Sequence, residues 1–434
     1  MSASAEWEAR SRRAVWHPCT QMKTHETLPL VAIERARGAW LYDFDGRRYL
    51  DAVSSWWVNL FGHANPRIDA ALAGQLGTLE HVLLAGCTHR GVVDLSERLA
   101  AAAPPGLGHA FYGSDGASAT EIALKMAFHY WHNRGFPEKT GFASLAGSYH
   151  GETLGALAVT DVALFRETYA PLLHENAVVA SPVPRSGESP REGADRAVEA
   201  LAAHLEAHHA QTAALIVEPL VQGASGMTMY DAHYLRRARA LCTQHGVLLI
   251  ADEIMTGFGR TGTLFACEQG GIAPDLLCLS KGLTGGYLPL SCALSTDAIY
   301  ETFYADDLTR GFLHSHSYTG NALACRAALA VLDIFRDDDV IAANRVKSDR
   351  WNDIAQPLAR STRVRGFRNL GMIWAFEVET ERPDFARWFH ARALAQELFL
   401  RPIGRTVYFM PPYVVTDAEF ALLVARTMAI VDDA

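Results

Sequence analysis

The chain has 434 residues, 49% hydrophobic and 20% charged, a balance that excludes a disordered or fibrous protein and suits two to three domains or one large domain with an appendage. Its 39 basic and 48 acidic side chains give a net charge of −9, so no large basic field exists to hold a nucleic-acid backbone. Apolar runs such as residues 213–217 and 247–251 are far too short to span a bilayer, so no membrane is expected as a partner.

The first thirteen residues are polar and lack the apolar core of a secretory signal. Seven cysteines, at 19, 87, 242, 267, 278, 292 and 325, are scattered and never form Cys-x-x-Cys. That pattern suits reduced thiols in a cytoplasm rather than a disulfide framework or a zinc site. Residues 39–43 and 48–51 carry a hairpin signal around Asp45-Gly46. Residues 118–133 repeat apolar side chains at helical spacing (Ile122, Met126, Tyr130) and stop before Gly135, with Ser114 or Ser118 as a cap. The stretch SPVPRSGESPREGAD at 181–195 reads as a turn-rich surface loop. TAALIV at 212–217 and VLLIA at 247–251 are short, apolar and followed by acidic residues, as fully buried strands are. Between them, residues 231–245 form a helix capped by Asp231 and ended by Gly246. Residues 276–279 give a shorter strand and 321–335 an Ala-rich helix. The alternation predicts an α/β class with a mostly parallel sheet. The expected division is a large domain over residues 61–335, with residues 1–60 and 336–434 folding together as a small α+β domain.

Several segments could carry chemistry. Gly257-Phe-Gly259-Arg-Thr-Gly262 has the spacing of a dinucleotide-binding loop. The preceding Asp252 and Glu253 would repel a pyrophosphate, and residues 263–265 do not open a helix. A stronger pattern is the pair Asp252 and Lys281, each following a buried strand. Ligands in open α/β sheets bind at the carboxyl ends of strands, so both side chains should enter one crevice. Lys281 stands among Ser280, Gly282, Gly285 and Gly286, where the backbone can crowd a ligand. Partial desolvation there lowers a lysine's pKa and readies its amine for a Schiff base. A buried carboxylate such as Asp252 can keep the pyridine nitrogen of pyridoxal phosphate (PLP) protonated. A plain buried Asp–Lys salt bridge reads the same way. Gly116 and Ala117 precede a helix, so their amides offer an anion site, or only an ordinary capped terminus. Tyr149 offers a flat ring to stack on a cofactor, although a Tyr-His pair also suits a core. His204 and His208 read as a solvated helix face rather than a metal pair, and no metal site is expected. Arg260 and Glu253 read as structural polar groups.

Residues 248–291 resemble the signature of the class III PLP-dependent aminotransferases, and the likeness runs from about residue 16 to residue 413. HPCTQM at 17–22, SSWW at 54–57, IVEPLVQGASGM at 216–227, HSHSYTGN at 314–321 and LRPIGRTVYFMPPY at 400–413 narrow it further. They resemble the branch of that family that aminates 8-amino-7-oxononanoate with S-adenosylmethionine in biotin synthesis. The resemblance implies a fold-type I PLP-dependent transferase, with Lys281, Asp252 and Tyr149 as its catalytic set. Lys281 would carry PLP as a Schiff base, Asp252 would hold the pyridine nitrogen and Tyr149 would stack on the ring. Gly116 and Ala117 would bind the phosphate. The family usually has a hydroxyl at the second of these positions, so Ala117 leaves only a backbone contact. His316 and Ser317 would reach the cofactor of a neighbouring subunit, which implies a homodimer with shared active sites. Trp56, Tyr149, Lys281, Ser315, Arg401 and Cys19 match substrate-contacting positions. Cys19 departs from the pattern, since the best-known members have an aromatic there and a thiol is a smaller, weaker donor. Lysine as amino donor, or another ω-amine specificity, remains an alternative within the same family.

Overall fold

Three neighbouring strands, Thr212–Val217, Leu248–Asp252 and Leu276–Leu279, are buried at every residue. Both of their faces are covered, which is why their sequences run apolar without alternation. They lie at the centre of a seven-stranded sheet in the computed structural model, which describes residues 2–28 and 30–434. The chain divides into two compact units, Ala70–Arg345 and Met1–Asp69 with Val346–Ala434.

In the larger unit the strands beginning at residues 109, 291, 276, 248, 212, 141 and 177 lie side by side in that order. Ser291–Ser295 is antiparallel to both of its neighbours, and the five strands from Leu276–Leu279 to Ala177–Val179 are mutually parallel. The helix Gly116–Asn133 places Ala119, Ile122, Ala123, Met126, Ala127 and Tyr130 in one core cluster with Ile216, Ile250, Leu276 and Ala293. Steps of three and four residues put these side chains on a single helix face. Each buried Ile or Leu there contributes about 1.5–3 kcal/mol.

Local boundaries differ from the sequence reading where caps decide them. Asp115, rather than Ser114 or Ser118, caps the helix Gly116–Asn133, accepting from the Ser118 N–H at 2.8 Å. The helix therefore starts two residues before 118. The loop expected over 181–195 ends early, because the helix Pro190–His208 begins inside it. Ser189 accepts from the Glu192 N–H at 3.2 Å, and Glu192 accepts from the Ser189 N–H at 2.7 Å. This capping box, with Pro190 in the first turn, is a helix start concealed in turn-rich composition. Ala232 occupies the cap position of the helix His233–His245, while Asp231 accepts from the His233 N–H at 2.7 Å. Gly246 ends that helix at φ +60°. The strand expected over 247–251 runs Leu248–Asp252, which places Asp252 in register with Cys278.

In the smaller unit the hairpin Trp40–Asp43 and Arg48–Asp51 turns at Gly46, whose φ is +82°. Ile33–Arg37 and Leu398–Phe399 extend it to four strands. The second sheet of this unit is the antiparallel set Val364–Leu370, Ile373–Val378 and Thr406–Phe409. There Trp351 stacks on Phe420 with ring centres 4.1 Å apart, and Trp374 lies 5.0 Å from the same ring. After Asp51 the chain enters an unusual turn. Ser54, Ser55, Trp56 and Trp57 have φ of 51°, 45°, 71° and 74°, a left-handed path costing roughly 1–2 kcal/mol per residue. Among the described residues, no helix is long and apolar enough to cross a membrane.

Candidate active site

Four parallel strands of the large sheet deliver polar side chains at their carboxyl ends. Gly141–Leu145 leads to Tyr149 and His150, Thr212–Val217 to Glu218, Leu248–Asp252 ends on Asp252, and Leu276–Leu279 leads to Lys281. This is where an open α/β sheet presents ligands with its loops. Asp252 is 4% exposed, with one carboxylate oxygen 2.7 Å from His150 Nδ1 and the other accepting from the Ile254 N–H at 3.1 Å. Glu218 is also buried and accepts from the Tyr149 and Gly223 N–H groups, each at 3.0 Å. Burial pushes its carboxyl up to about 7; Asp252 adds to the rise and His150 opposes it.

Lys281 feels the opposite pull. Burial lowers its amine to about 8, against the opposing attraction of Asp252 and Glu218. Desolvation therefore outweighs two nearby carboxylates, and the amine is a usable nucleophile near neutral pH. Its backbone stands at φ +44°, a conformation that persists only where the surroundings fix it and that marks functional positions. The flanking loop is fixed by Ser280 Oγ donating to the Leu290 carbonyl at 2.9 Å and Thr284 Oγ1 to the Leu288 carbonyl at 2.6 Å.

Beside this cluster the helix Gly116–Asn133 opens with unshared amides at Gly116 and Ala117, the ordinary condition of a first turn and a ready place for an anion. The approach is close. A Cβ at Gly116 would meet Ile254 at 2.9 Å, and one at Gly151 would meet the Ala117 methyl at 2.7 Å. Ser114 Oγ lies 2.6 Å from His316 Nε2, so a second donor group stands next to those amides within the same chain. Ser315 and Ser317 are exposed, and the Ser317 carbonyl lies 2.8 Å from His81 Nε2. Tyr149 donates its hydroxyl to Glu152 at 2.9 Å, and its ring meets Phe165 edge-on at 5.5 Å.

In the smaller unit Trp56 is 46% exposed, with the Arg401 guanidinium 5.4 Å from its ring centre. Trp57 is buried and donates its indole N–H to the Tyr408 hydroxyl at 3.1 Å. Cys19 is exposed, with φ +51°.

Residues 257–262 do not form a dinucleotide loop. Phe258 is wholly buried, and the next helix begins only at Cys267. The buried Glu253 accepts from the Ala266 and Cys267 N–H groups at 2.6 and 2.8 Å, closing the segment as a structural turn. His204 and His208 have ring centres 5.1 Å apart, and among the described residues no group of three His, Cys, Asp or Glu is placed to hold a metal. Two members of the cluster escaped the sequence reading as site residues, His150 and Glu218. Glu218 directly follows a buried strand, so the strand-end logic that singles out Asp252 applies equally to it. His150 carried no such signal, since its contact with Asp252 exists only in the fold.

A desolvated lysine, a buried carboxylate–imidazole pair and a helix N-terminus thus stand together at the carboxyl ends of the parallel strands. The chain belongs to the class-III aminotransferases, whose family profile matches residues 21–431. It is 45% identical to the adenosylmethionine-8-amino-7-oxononanoate aminotransferase of Helicobacter pylori, over 96% of each chain. The crystal structure of the aminotransferase of that name from Methanocaldococcus jannaschii matches with a TM-score of 0.93 at 33% identity, covering 99% of both chains. An amine transaminase from an uncultivated Pseudomonas species, solved in its PLP-bound form, matches with a TM-score of 0.90 at 31% identity, over 97% of this chain and 98% of that one.

Proposed function

We propose that this protein transfers the amino group of S-adenosylmethionine to 8-amino-7-oxononanoate, using PLP held at Lys281. The observation that carries the reading is the 45% identity, over 96% of each chain, to an aminotransferase named for those two substrates, and it is supported by Lys281 and the buried Asp252–His150 pair standing at the carboxyl ends of two paired strands. The residues present fit that cofactor. His150 Nε2 is buried and has no hydrogen-bond partner among the described residues, so the pair is organised around Asp252 with capacity left for a ligand.

When bound, PLP supplies a carbonyl that exchanges amines and a ring that draws electrons from the bond being broken. Lys281 provides the nucleophilic amine and then moves a proton at the substrate carbon as general base and acid. Asp252, oriented by His150 at 2.7 Å, would hold the protonated ring nitrogen. The Gly116 and Ala117 amides would hold the phosphate, and Tyr149 would stack on the ring. Glu218 fixes the backbone of Tyr149 through its N–H. Arg401 binds the distal carboxylate of the keto acid, for which its planar fork is suited. Trp56 packs on the alkyl chain of that substrate or faces the sulfonium of the donor, and Ser315 and Cys19 are further substrate-contacting residues. The protein acts as a cytoplasmic homodimer with shared sites, in which His316 and Ser317 would reach the neighbouring subunit's cofactor.

Single-turnover mixing tests this reading. The PLP form, given S-adenosylmethionine, should convert to pyridoxamine phosphate, and adding 8-amino-7-oxononanoate should return it. Conversion by lysine and none by S-adenosylmethionine would overturn the donor, and failure of the keto acid to reverse it would overturn the acceptor.

A further inference from the structure

We propose that Asp51 is a positioning residue that acts through Trp56: its carboxylate, with His63, clamps the left-handed turn Ser54–Trp57 and so fixes the exposed indole beside Arg401. The proposal rests on the reading of Trp56 and Arg401 as part of the substrate site.

Asp51 is wholly buried at the end of the strand Arg48–Asp51. One carboxylate oxygen accepts from the Ser55 N–H at 2.9 Å. The other accepts from Ser55 Oγ at 2.7 Å and lies 3.0 Å from His63 Nε2. Asn59 Nδ2 lies 3.2 Å from His63 Nδ1. Its amide donates there, which leaves the ring proton on Nε2, facing Asp51. Three donors from two segments therefore converge on one buried carboxylate. Further bonds anchor the residues flanking Trp56, with Ser54 Oγ donating to the Met410 carbonyl at 2.7 Å and the Trp57 indole to Tyr408.

What this clamp holds is four successive non-glycine residues at positive φ. Such a stretch persists only when its surroundings over-determine it, and strain of this kind collects at ligand clamps. Packing accounts for Trp57, which is buried, but not for Trp56, which is 46% exposed. The turn leaves Trp56 outward, with a guanidinium 5.4 Å from its ring, and sends the next residue, Trp57, inward. Asp51 touches neither Trp56 nor Arg401 in any of these bonds; it sets where the indole stands.

A double-mutant cycle on the PLP-loaded protein separates this from a merely structural role. Asp51→Asn, nearly isosteric, should lower kcat/KM for the keto acid about ten-fold in the wild-type background and less than about two-fold in the Trp56→Ala background. Its effect on Tm should be the same in both. Ser55→Ala, which removes one bond to Asp51, should show the same dependence on Trp56 at smaller size, and it serves if Asp51→Asn does not fold. Tyr49→Phe removes a buried 3.0 Å bond to Asp43 in the same sheet; it should lower Tm with no coupling to Trp56. Equal losses in both backgrounds, or no loss in the wild-type background, would overturn the proposal. If the wild-type protein uses another keto acid, the substrate reading fails there and the cycle is run unchanged on that acceptor.

Discussion

At Lys281 two effects oppose each other: burial disfavours the charged amine, while Asp252 and Glu218 favour it, and burial wins, leaving a value of about 8. Below that pH the amine is protonated and has no free electron pair to attack a carbonyl. The rate at which the apoprotein takes up PLP should therefore rise as pH passes through about 8; a midpoint near the ordinary lysine value would mean that the amine is solvated. Asp252→Asn should leave the fold intact, since the amide oxygen can still accept from the Ile254 N–H while its NH2 donates to His150 Nδ1 in the other tautomer, yet cut turnover by about 100-fold or more because the proposed anionic partner of the ring nitrogen is lost. Wild-type rates in that variant would remove Asp252 from the chemistry. Glu253 tests a different sign. Burial raises its carboxyl to about 7 from 4.5, so its contribution to stability is full below pH 4.5 and is lost as pH rises through about 7. The difference is on the order of 3 kcal/mol, and Glu253→Gln should flatten the fall of Tm between pH 5 and 8. Lys281 and Asp252 were legible in the sequence because each follows an apolar run too short to be anything but a buried strand. His150 was not, because its role is a 2.7 Å contact with Asp252 that no local pattern encodes.

Caps decided where elements began, and they are the part of the sequence most easily misread. The run SPVPRSGESPREGAD has the composition of a loop, but Ser189, Pro190 and Glu192 within it start a nineteen-residue helix. Ser189→Ala should destabilise the protein by about 1 kcal/mol, measured by chemical denaturation; no change would mean that tertiary packing alone holds that terminus. The far end of the same helix is secured by a cation. Lys139 Nζ lies 2.5, 3.1 and 2.9 Å from the carbonyls of His209, Thr212 and Gly246, gathering two helix ends and a strand start. Its ammonium supplies three donors to groups that the helices cannot satisfy themselves. Nothing in the local sequence marks this lysine, since its partners come from three separate segments. Lys139→Met keeps the stem and removes the donors, and should cost about 1–3 kcal/mol.

For the molecule as a whole, the parallel core was readable because doubly covered strands leave uninterrupted apolar runs at 212–217 and 276–279. The antiparallel strand Ser291–Ser295 and the pairing of Leu398–Phe399 with Arg48–Asp51 were not, since pairing partners distant in the chain leave no periodicity. A site assembled from four strand ends and a helix terminus should make cofactor and fold mutually dependent. Saturating PLP at about 100 times its Kd should raise stability by about 2.7 kcal/mol, and Lys281→Ala should lose much of that gain. The proposed chemistry depends most on one bond, the proposed attachment of PLP to Lys281. Reducing the PLP-loaded protein with borohydride and mapping the labelled peptide by mass spectrometry reads that bond directly. A single label on Lys281, absent in Lys281→Ala, is expected; a label on any other lysine, persisting in that variant, would mean that PLP is held elsewhere.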